Sequence, residues 1–270
     1  MRNIMTRNGK ILSRGGYCLY KDNYNPLGLP PYTIRCRYAT GTEPTEGQTR
    51  TLVDQEQNIW DIENDDISWS LFFNEDTDLI EVLGANSTGV SDMTCLFLEC
   101  HNLQSVAVFD TTRVTVMESM FDHCISLTTV PLFDTSSCEN MQGMFNGCTS
   151  LTSVPLFDTI SCTRMPYMFY ECTLLTSVPL FNTEHVDDFT RTFYSCTSLT
   201  SVPLFDTSSC TYMGYMFYGC TNVQSGALAL YQQASTQDDP PTVYEECFTD
   251  CGSDTVTGAE ELAQIPDDWK

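Results

Sequence analysis

The feature of this sequence that most limits its fold is a repeat with an unbroken period of 24 residues. The segment LTTVPLFDTSSC recurs as LTSVPLFDTISC, LTSVPLFNTEHV and LTSVPLFDTSSC. Three columns that keep the same step run from Phe97 to Phe217, from Cys100 to Cys220 and from Leu103 to Leu199. A unit of this length cannot bury its apolar residues alone and must stack on its neighbours, so the sequence predicts a repeat solenoid.

The apolar spacing within a unit predicts which side chains face the core. One coil is expected to direct these residues inward: Leu151, Val154, Leu156, Met165, Phe169 and Cys172. We expect a right-handed solenoid of six to seven coils with short parallel strands on one face. Leu151, Val154 and Leu156 would belong to one of these strands. Pro155 and its equivalents in three other coils have no N–H to donate, so we expect strands of about three to five residues that stop near the proline.

The full pattern L-x-x-V-P-L-F-D-T-S-x-C-x-x-M-x-x-M-F-x-x-C resembles the BspA-like leucine-rich repeats of surface proteins, in a 24-residue variant. The resemblance covers about residues 66–226. It implies a leucine-rich-repeat fold and a role in adhesion or recognition at cell surfaces. It also implies occurrence in gut bacteria and their phages.

These patterns divide the chain into four segments. Residues 1–29 lack periodicity and are expected to form an extended basic arm, and residues 66–226 form the solenoid. Residues 30–65 are expected to be a β-rich N-terminal cap, with strands in TIRCRY, TRTLVD and NIWDI. Residues 227–270 are expected to be a helical and irregular C-terminal cap, with helices in GALALYQQAS and GAEELAQIP.

The charge divides the chain into two parts. Residues 1–50 carry a net charge of +5, the remaining residues carry −29, and the whole chain carries −24. An acidic body repels phosphate backbones, which argues against nucleic-acid binding. The basic arm could attach the protein to a larger protein assembly or fold back on the acidic body. No apolar run is long enough for a membrane span, and the first twenty residues have no apolar segment typical of a secretory signal.

No residue pattern points to catalysis, a cofactor or a metal site, so we expect a protein that is not an enzyme. The three histidines lack a nucleophile partner in a recognised spacing. The column from Asp110 to Asp206 fits Asx turns better than a calcium site, because Asn182 replaces one carboxylate. Cys247 and Cys251 leave a disulfide or metal pair open in the C-terminal cap.

Tyrosines supply the candidate binding surface. Tyr170, Tyr194 and Tyr218 form a column at the repeat period, and Tyr167 and Tyr215 accompany them. Polar residues occupy the earlier positions of the column, which indicates an exposed place. An exposed tyrosine stripe is typical of a surface that recognises protein or glycan. The alternative is partial packing between coils.

These observations favour a recognition or structural protein. The first hypothesis is a phage virion component, a tail or decoration protein, whose repeats face a host-surface protein or glycan. The alternative is a BspA-like adhesin on a bacterial cell surface. Whether the chain forms a homo-oligomer is left open by the sequence.

The cysteine column from Cys100 to Cys220 gives a first testable prediction. A regular parallel column rarely provides the Cβ geometry that a disulfide needs, so these thiols are expected to be reduced. Mass spectrometry under non-reducing conditions would find them unlinked, and cross-linked peptides would contradict this. Valine or alanine is expected to be tolerated there better than serine, because a buried hydroxyl needs a hydrogen-bond partner.

Overall fold

A computed structural model shows how the repeats stack and how the chain begins. The described residues are 5–7, 10–12, 18–19, 25, 27–44, 49–64 and 68–270. Strands β1 (Met5–Arg7), β2 (Lys10–Leu12) and β3 (Cys18–Leu19) form an antiparallel sheet in that order. Within the expected arm over residues 1–29, these three strands pair with one another. The other residues before Asn25 lie outside the described part.

The end of the expected arm packs on the body. Leu29 is buried, and Asn86 Nδ2 donates to the Leu29 carbonyl at 2.8 Å. Asn25 closes a turn over the same segment, because its Oδ1 accepts the Leu29 N–H at 2.8 Å. The boundary between residues 29 and 30 is therefore placed too late, and the described residues from Asn25 onward belong to the cap.

The N-terminal cap is a five-stranded sheet that continues into the solenoid. Its strands are β4 (Thr33–Tyr38), β5 (Thr49–Asp54), β6 (Ile59–Glu63), β7 (Leu79–Asn86) and β8 (Ser105–Val106), in the order β5-β6-β4-β7-β8. Only the β7–β8 pair is parallel. Alternation in β4 turns Ile34, Cys36 and Tyr38 into the core. On the other face of β4, Arg35 forms a bidentate pair with Asp61 at 2.6 and 2.8 Å.

The face that carries the V-P-L segment is not a sheet in most coils. Leu151, Val154 and Phe157 are buried, whereas Leu156 is 37% exposed, so its expected inward orientation is wrong. Its equivalents Leu180 and Leu204 are 61% and 51% exposed. Buried residues thus recur every three positions, in coils with and without the proline, and not every two positions as in a strand.

The parallel pairing expected on that face lies mainly on the opposite wall. On the V-P-L face, single bonds such as Thr176 N–H to the Thr152 carbonyl join the coils. On the opposite wall, parallel bridges link one residue of every coil, as in Asn140 to Arg164 and Arg164 to Asp188. The prolines of the V-P-L segments remove backbone donors from the first face, which limits the pairing there.

That opposite wall, the M-x-x-M-F-x-x-C segment of each coil, is a chain of tight turns. We call it the turn wall. The N–H groups of Met141, Gly143, Phe145 and Gly147 each donate to a carbonyl 23 residues later, in the next coil. Gly143 and Gly147 have φ of 59° and 67°, and most other coils place non-glycine residues at both positions. Each such residue costs of order 1–3 kcal/mol, which the inter-coil hydrogen bonds offset.

Aromatic and threonine columns fill the space between the walls. Phe121, Phe145 and Phe169 stack with centroids 5.6 Å apart. A buried threonine in each coil donates its hydroxyl to the next coil, as Thr159 does to the Asn182 carbonyl at 2.6 Å. The last of these hydroxyls belongs to Thr207, which donates to the side-chain amide of Gln237 and thereby finds its partner outside the repeats.

The C-terminal segment contains a further turn wall. Helices α1 (Ala227–Thr236) and α2 (Val256–Leu262) flank it, and a short 3₁₀ helix (Asp267–Trp269) ends the chain. Between them, Phe217 N–H donates to the Cys247 carbonyl, and Phe248 stacks on Phe217 at 5.9 Å. The solenoid therefore continues past residue 226, with α1 in place of a V-P-L segment. Among the described residues, no helix is long and apolar enough to cross a bilayer.

The two leucines of one coil give a prediction that tests the corrected orientation. Leu151→Ala removes a fully buried side chain and should lower the free energy of unfolding by about 2–5 kcal/mol. Leu156→Ala is the matched control and should cost less than about 1 kcal/mol, because much of this side chain already contacts water. Urea denaturation followed by circular dichroism measures both, and equal losses would contradict the assigned orientation.

Candidate recognition surface

The three tyrosines of the predicted column lie in direct contact on the turn wall. Tyr170 and Tyr194 stack with centroids 4.8 Å apart and planes at 9°, and Tyr194 and Tyr218 stack at 4.8 Å and 3°. Each occupies the same turn in successive coils, so the coil spacing sets the ring spacing. All three are half-buried, because the rings cover one another's faces. The alternative of packing between coils therefore applies to these rings, although each keeps part of its surface exposed.

A second column lies beside the first and contains an arginine that the sequence analysis missed. Tyr167, Arg191 and Tyr215 occupy equivalent left-handed turn positions, with φ of 59°, 54° and 59°. The Arg191 guanidinium lies 5.7 Å from the Tyr167 ring centroid and 4.7 Å from that of Tyr215. Its Nη1 donates to Tyr167 Oη at 2.8 Å, and this bond raises the pKa of Arg191. The sequence contained the signal, because Arg191 lies 24 residues after Tyr167 and 24 residues before Tyr215.

The two columns line an open concavity of about 490 Å³. Its lining residues are Asn146, Tyr167, Tyr170, Arg191, Tyr194 and Tyr215. Tyr218 completes the stack behind it and contacts Tyr215 at 6.0 Å. We call this concavity, defined by the six lining residues, the tyrosine–arginine pocket.

Two carboxylates at the edge of the pocket bind tyrosine hydroxyls and raise the pKa values of these phenols. Burial and the neighbouring Glu171 carboxylate raise the pKa of Tyr170. The charge of Glu246 raises the pKa of Tyr215, whose Oη donates to Glu246 Oε1 at 3.3 Å. Each hydroxyl donates its proton to one of these carboxylates and keeps its oxygen lone pairs to accept hydrogen bonds from a ligand.

The aspartate column forms Asx turns, as the sequence favoured. Asp134 Oδ1 accepts from the Ser136 N–H at 3.1 Å, and Asp206 Oδ1 accepts from the Ser208 N–H at 2.9 Å. Asn182 does the same with Glu184 at 3.1 Å. Among the described residues, no three potential ligand side chains converge as a metal site requires.

The cysteine column is a ladder of buried free thiols. Cys148 Sγ donates to the Phe121 carbonyl at 3.0 Å, and Cys172 Sγ donates to that of Phe145 at 3.1 Å. Burial raises the pKa of both thiols. A serine hydroxyl would have the same carbonyl within reach, so a missing partner is not a reason for a serine penalty, and the order of tolerance stays a prediction.

Cys247 and Cys251 belong to the last turn wall. Both are buried free thiols, and they stand where Met216 and Cys220 stand one coil earlier. The segment YEECFTDC thus follows the pattern of MGYMFYGC after a gap of 31 residues instead of 24. That longer gap, filled by α1, concealed the repeat in the sequence.

The coil geometry defines the protein as a leucine-rich-repeat solenoid of the kind that the BspA-like resemblance implied. The chain belongs to the family described as "Mycoplasma protein of unknown function, DUF285", whose model matches residues 65–172, 91–202 and 124–231. No curated protein matches the chain.

Solved structures similar to this chain are bacterial leucine-rich-repeat proteins. The T. pallidum protein TpLRR is 18% identical, with 64% of this chain and 78% of that chain covered and a TM-score of 0.49. A protein from Eubacterium ventriosum is 13% identical, with 64% and 58% covered and a TM-score of 0.36. One from Bacteroides ovatus is 15% identical, with 94% and 91% covered and a TM-score of 0.20.

The tyrosine stack gives a stability prediction. Tyr194→Ala removes two stacked pairs, each worth about 0.5–1.5 kcal/mol, and should lower the free energy of unfolding by about 1–3 kcal/mol. Tyr194→Phe keeps both stacks and should change it by less than about 0.5 kcal/mol. Chemical denaturation of both variants measures this. A loss in Tyr194→Phe as large as in Tyr194→Ala would show that the hydroxyl, and not the stacking, stabilises the column.

Proposed function

We propose that this protein is a non-enzymatic recognition protein whose turn wall contacts a protein or glycan on the host surface. The observation that carries the proposal is the pair of adjacent columns, Tyr170 to Tyr218 and Tyr167 to Tyr215, which line a concave surface. Aromatic side chains with polar tips are enriched where proteins bind partners, because they offer large contact areas at a small cost in side-chain entropy.

We further propose that the N-terminal segment attaches the protein to a larger assembly and that this assembly is a virion. Residues 1–50 are net positive and the rest of the chain is strongly acidic, so the two parts favour different partners. The body also has its own core, which a presented module requires. A cell-surface adhesin is the second candidate, favoured by the description of the family as a mycoplasma protein.

Deletion of residues 1–24 tests attachment. This deletion spares the turn from Asn25 to Leu29 that packs on the body. Attachment predicts a soluble variant with an unchanged melting temperature that no longer joins its particle or cell surface. A lower melting temperature with normal incorporation would instead indicate that the segment caps its own body.

Electron microscopy with a label on the chain locates the protein and separates the two candidates. A label on phage particles supports the virion, and a label on bacterial cells supports the adhesin. Binding of the full chain to host cells tests recognition itself, with a Tyr170→Ala, Tyr194→Ala double variant as the comparison. Undiminished binding by a folded double variant would refute the role of the tyrosine columns.

A further inference from the structure

Arg191 is an unneutralised cation in a strongly acidic protein. After residue 50 the chain contains four basic residues and 33 acidic ones. Nevertheless, none of the ion pairs of the described residues includes Arg191. Of its five N–H donors, the structure assigns one to a protein acceptor, Tyr167 Oη. The remaining donors have no assigned acceptor among the described residues and can therefore bind a group from outside the chain.

The surroundings hold the guanidinium in place. The rings of Tyr167 and Tyr215 lie within 5.7 and 4.7 Å of its central carbon, one in the coil before and one in the coil after. Such cation–π contacts are favourable and limit the movement of the side chain. A guanidinium fixed in this way presents its donors as a preformed fork, the geometry that matches a carboxylate.

The rest of the pocket suits hydroxyl groups. The rings of Tyr170 and Tyr194 cover each other, so they offer their edges and hydroxyls more than their faces. Asn146 Nδ2 donates to Asp122 Oδ2 at 3.2 Å, which leaves the Asn146 amide oxygen as an acceptor. The volume of about 490 Å³ falls within the range of small-molecule sites.

Acidic groups around the pocket restrict the number of negative charges that a ligand can carry. Glu171 lies beside Tyr170, and Glu246 accepts the hydroxyl of Tyr215. These carboxylates and the net charge of the body repel polyanions such as acidic peptides. They can accept hydrogen bonds from neutral hydroxyls, so a ligand with one carboxylate and several hydroxyls fits the charge pattern.

We propose that the tyrosine–arginine pocket binds a carboxylated sugar, with the sugar carboxylate on Arg191 and its hydroxyls on the tyrosines and Asn146. The inference rests on the proposed recognition function and names its ligand class. The sugar would be a single acidic residue of a host glycan, such as a uronic or sialic acid unit.

The test is a titration of the full chain by calorimetry with three probes. Methyl glucuronoside carries the carboxylate, methyl glucoside is its neutral counterpart, and N-acetyl-aspartate amide carries a carboxylate on a peptide unit. We expect the glucuronoside to bind at least about tenfold more tightly than either of the others, as is typical of charge-assisted hydrogen bonds. Equal binding of both sugars, tighter binding of the aspartate probe, or no sugar binding at all would overturn the proposal.

Substitutions at Arg191 test whether this residue binds the sugar carboxylate. Arg191→Gln should weaken glucuronoside binding at least about tenfold, and Arg191→Lys should weaken it less, because the charge remains without the fork. Arg164→Gln is the matched control. It removes the same charge from an exposed arginine that donates to Gln142, and it should leave binding unchanged. A folded Arg191→Gln chain that binds normally, or an equal loss in Arg164→Gln, would refute the assignment.

Cell binding separates this proposal from the function on which it rests. If the chain binds host cells and free glucuronoside or sialic acid does not compete, recognition stands and the carboxylated sugar is wrong. If the chain binds no host cell, the recognition function itself fails, whatever the titrations show.

Discussion

The hydrogen bonds between successive turn walls determine the spacing of everything else in this protein. In each coil four backbone N–H groups, such as those of Met141 and Phe145, donate to carbonyls of the next coil. They hold neighbouring coils at the separation of paired strands, about 4.8 Å, although the backbone is a series of turns. The cost of left-handed residues such as Tyr167 and Glu171 is acceptable only because these bonds recur in every coil.

Once that separation is fixed, any side chain repeated every 24 residues meets its own copy. Phenylalanines stack in the core, threonine hydroxyls reach the carbonyl of the next coil, and buried thiols donate to carbonyls of the coil before. The same coil spacing places the side chains of the candidate site next to one another. Tyr170, Tyr194 and Tyr218 form a stack, and Arg191 fits between two tyrosines because it replaces a ring in one coil of their column.

Each column of stacked side chains ends at the first and last coils, and different structures cover the two ends of the solenoid. At the N-terminal end, β7 pairs antiparallel with β4 and parallel with β8, so a conventional sheet covers the first coil. At the other end, α1 replaces a V-P-L segment, and Gln237 receives the last threonine hydroxyl. The amide of Gln237 also donates to the Thr207 carbonyl at 2.9 Å, so one side chain replaces the backbone of a missing coil.

The sequence by itself determined the solenoid, its period, most of its buried columns and the stacked tyrosines, because an uninterrupted repeat converts sequence position directly into spatial position. The tertiary structure decided the orientation of Leu156, since buried residues on that face recur every three positions and do not alternate as in a strand. It also revealed the turn wall of Cys247 and Cys251, hidden by the inserted helix α1. Arg191 became part of the site only when the fold placed it between two rings, since a contact between side chains of three coils depends on their separation in space.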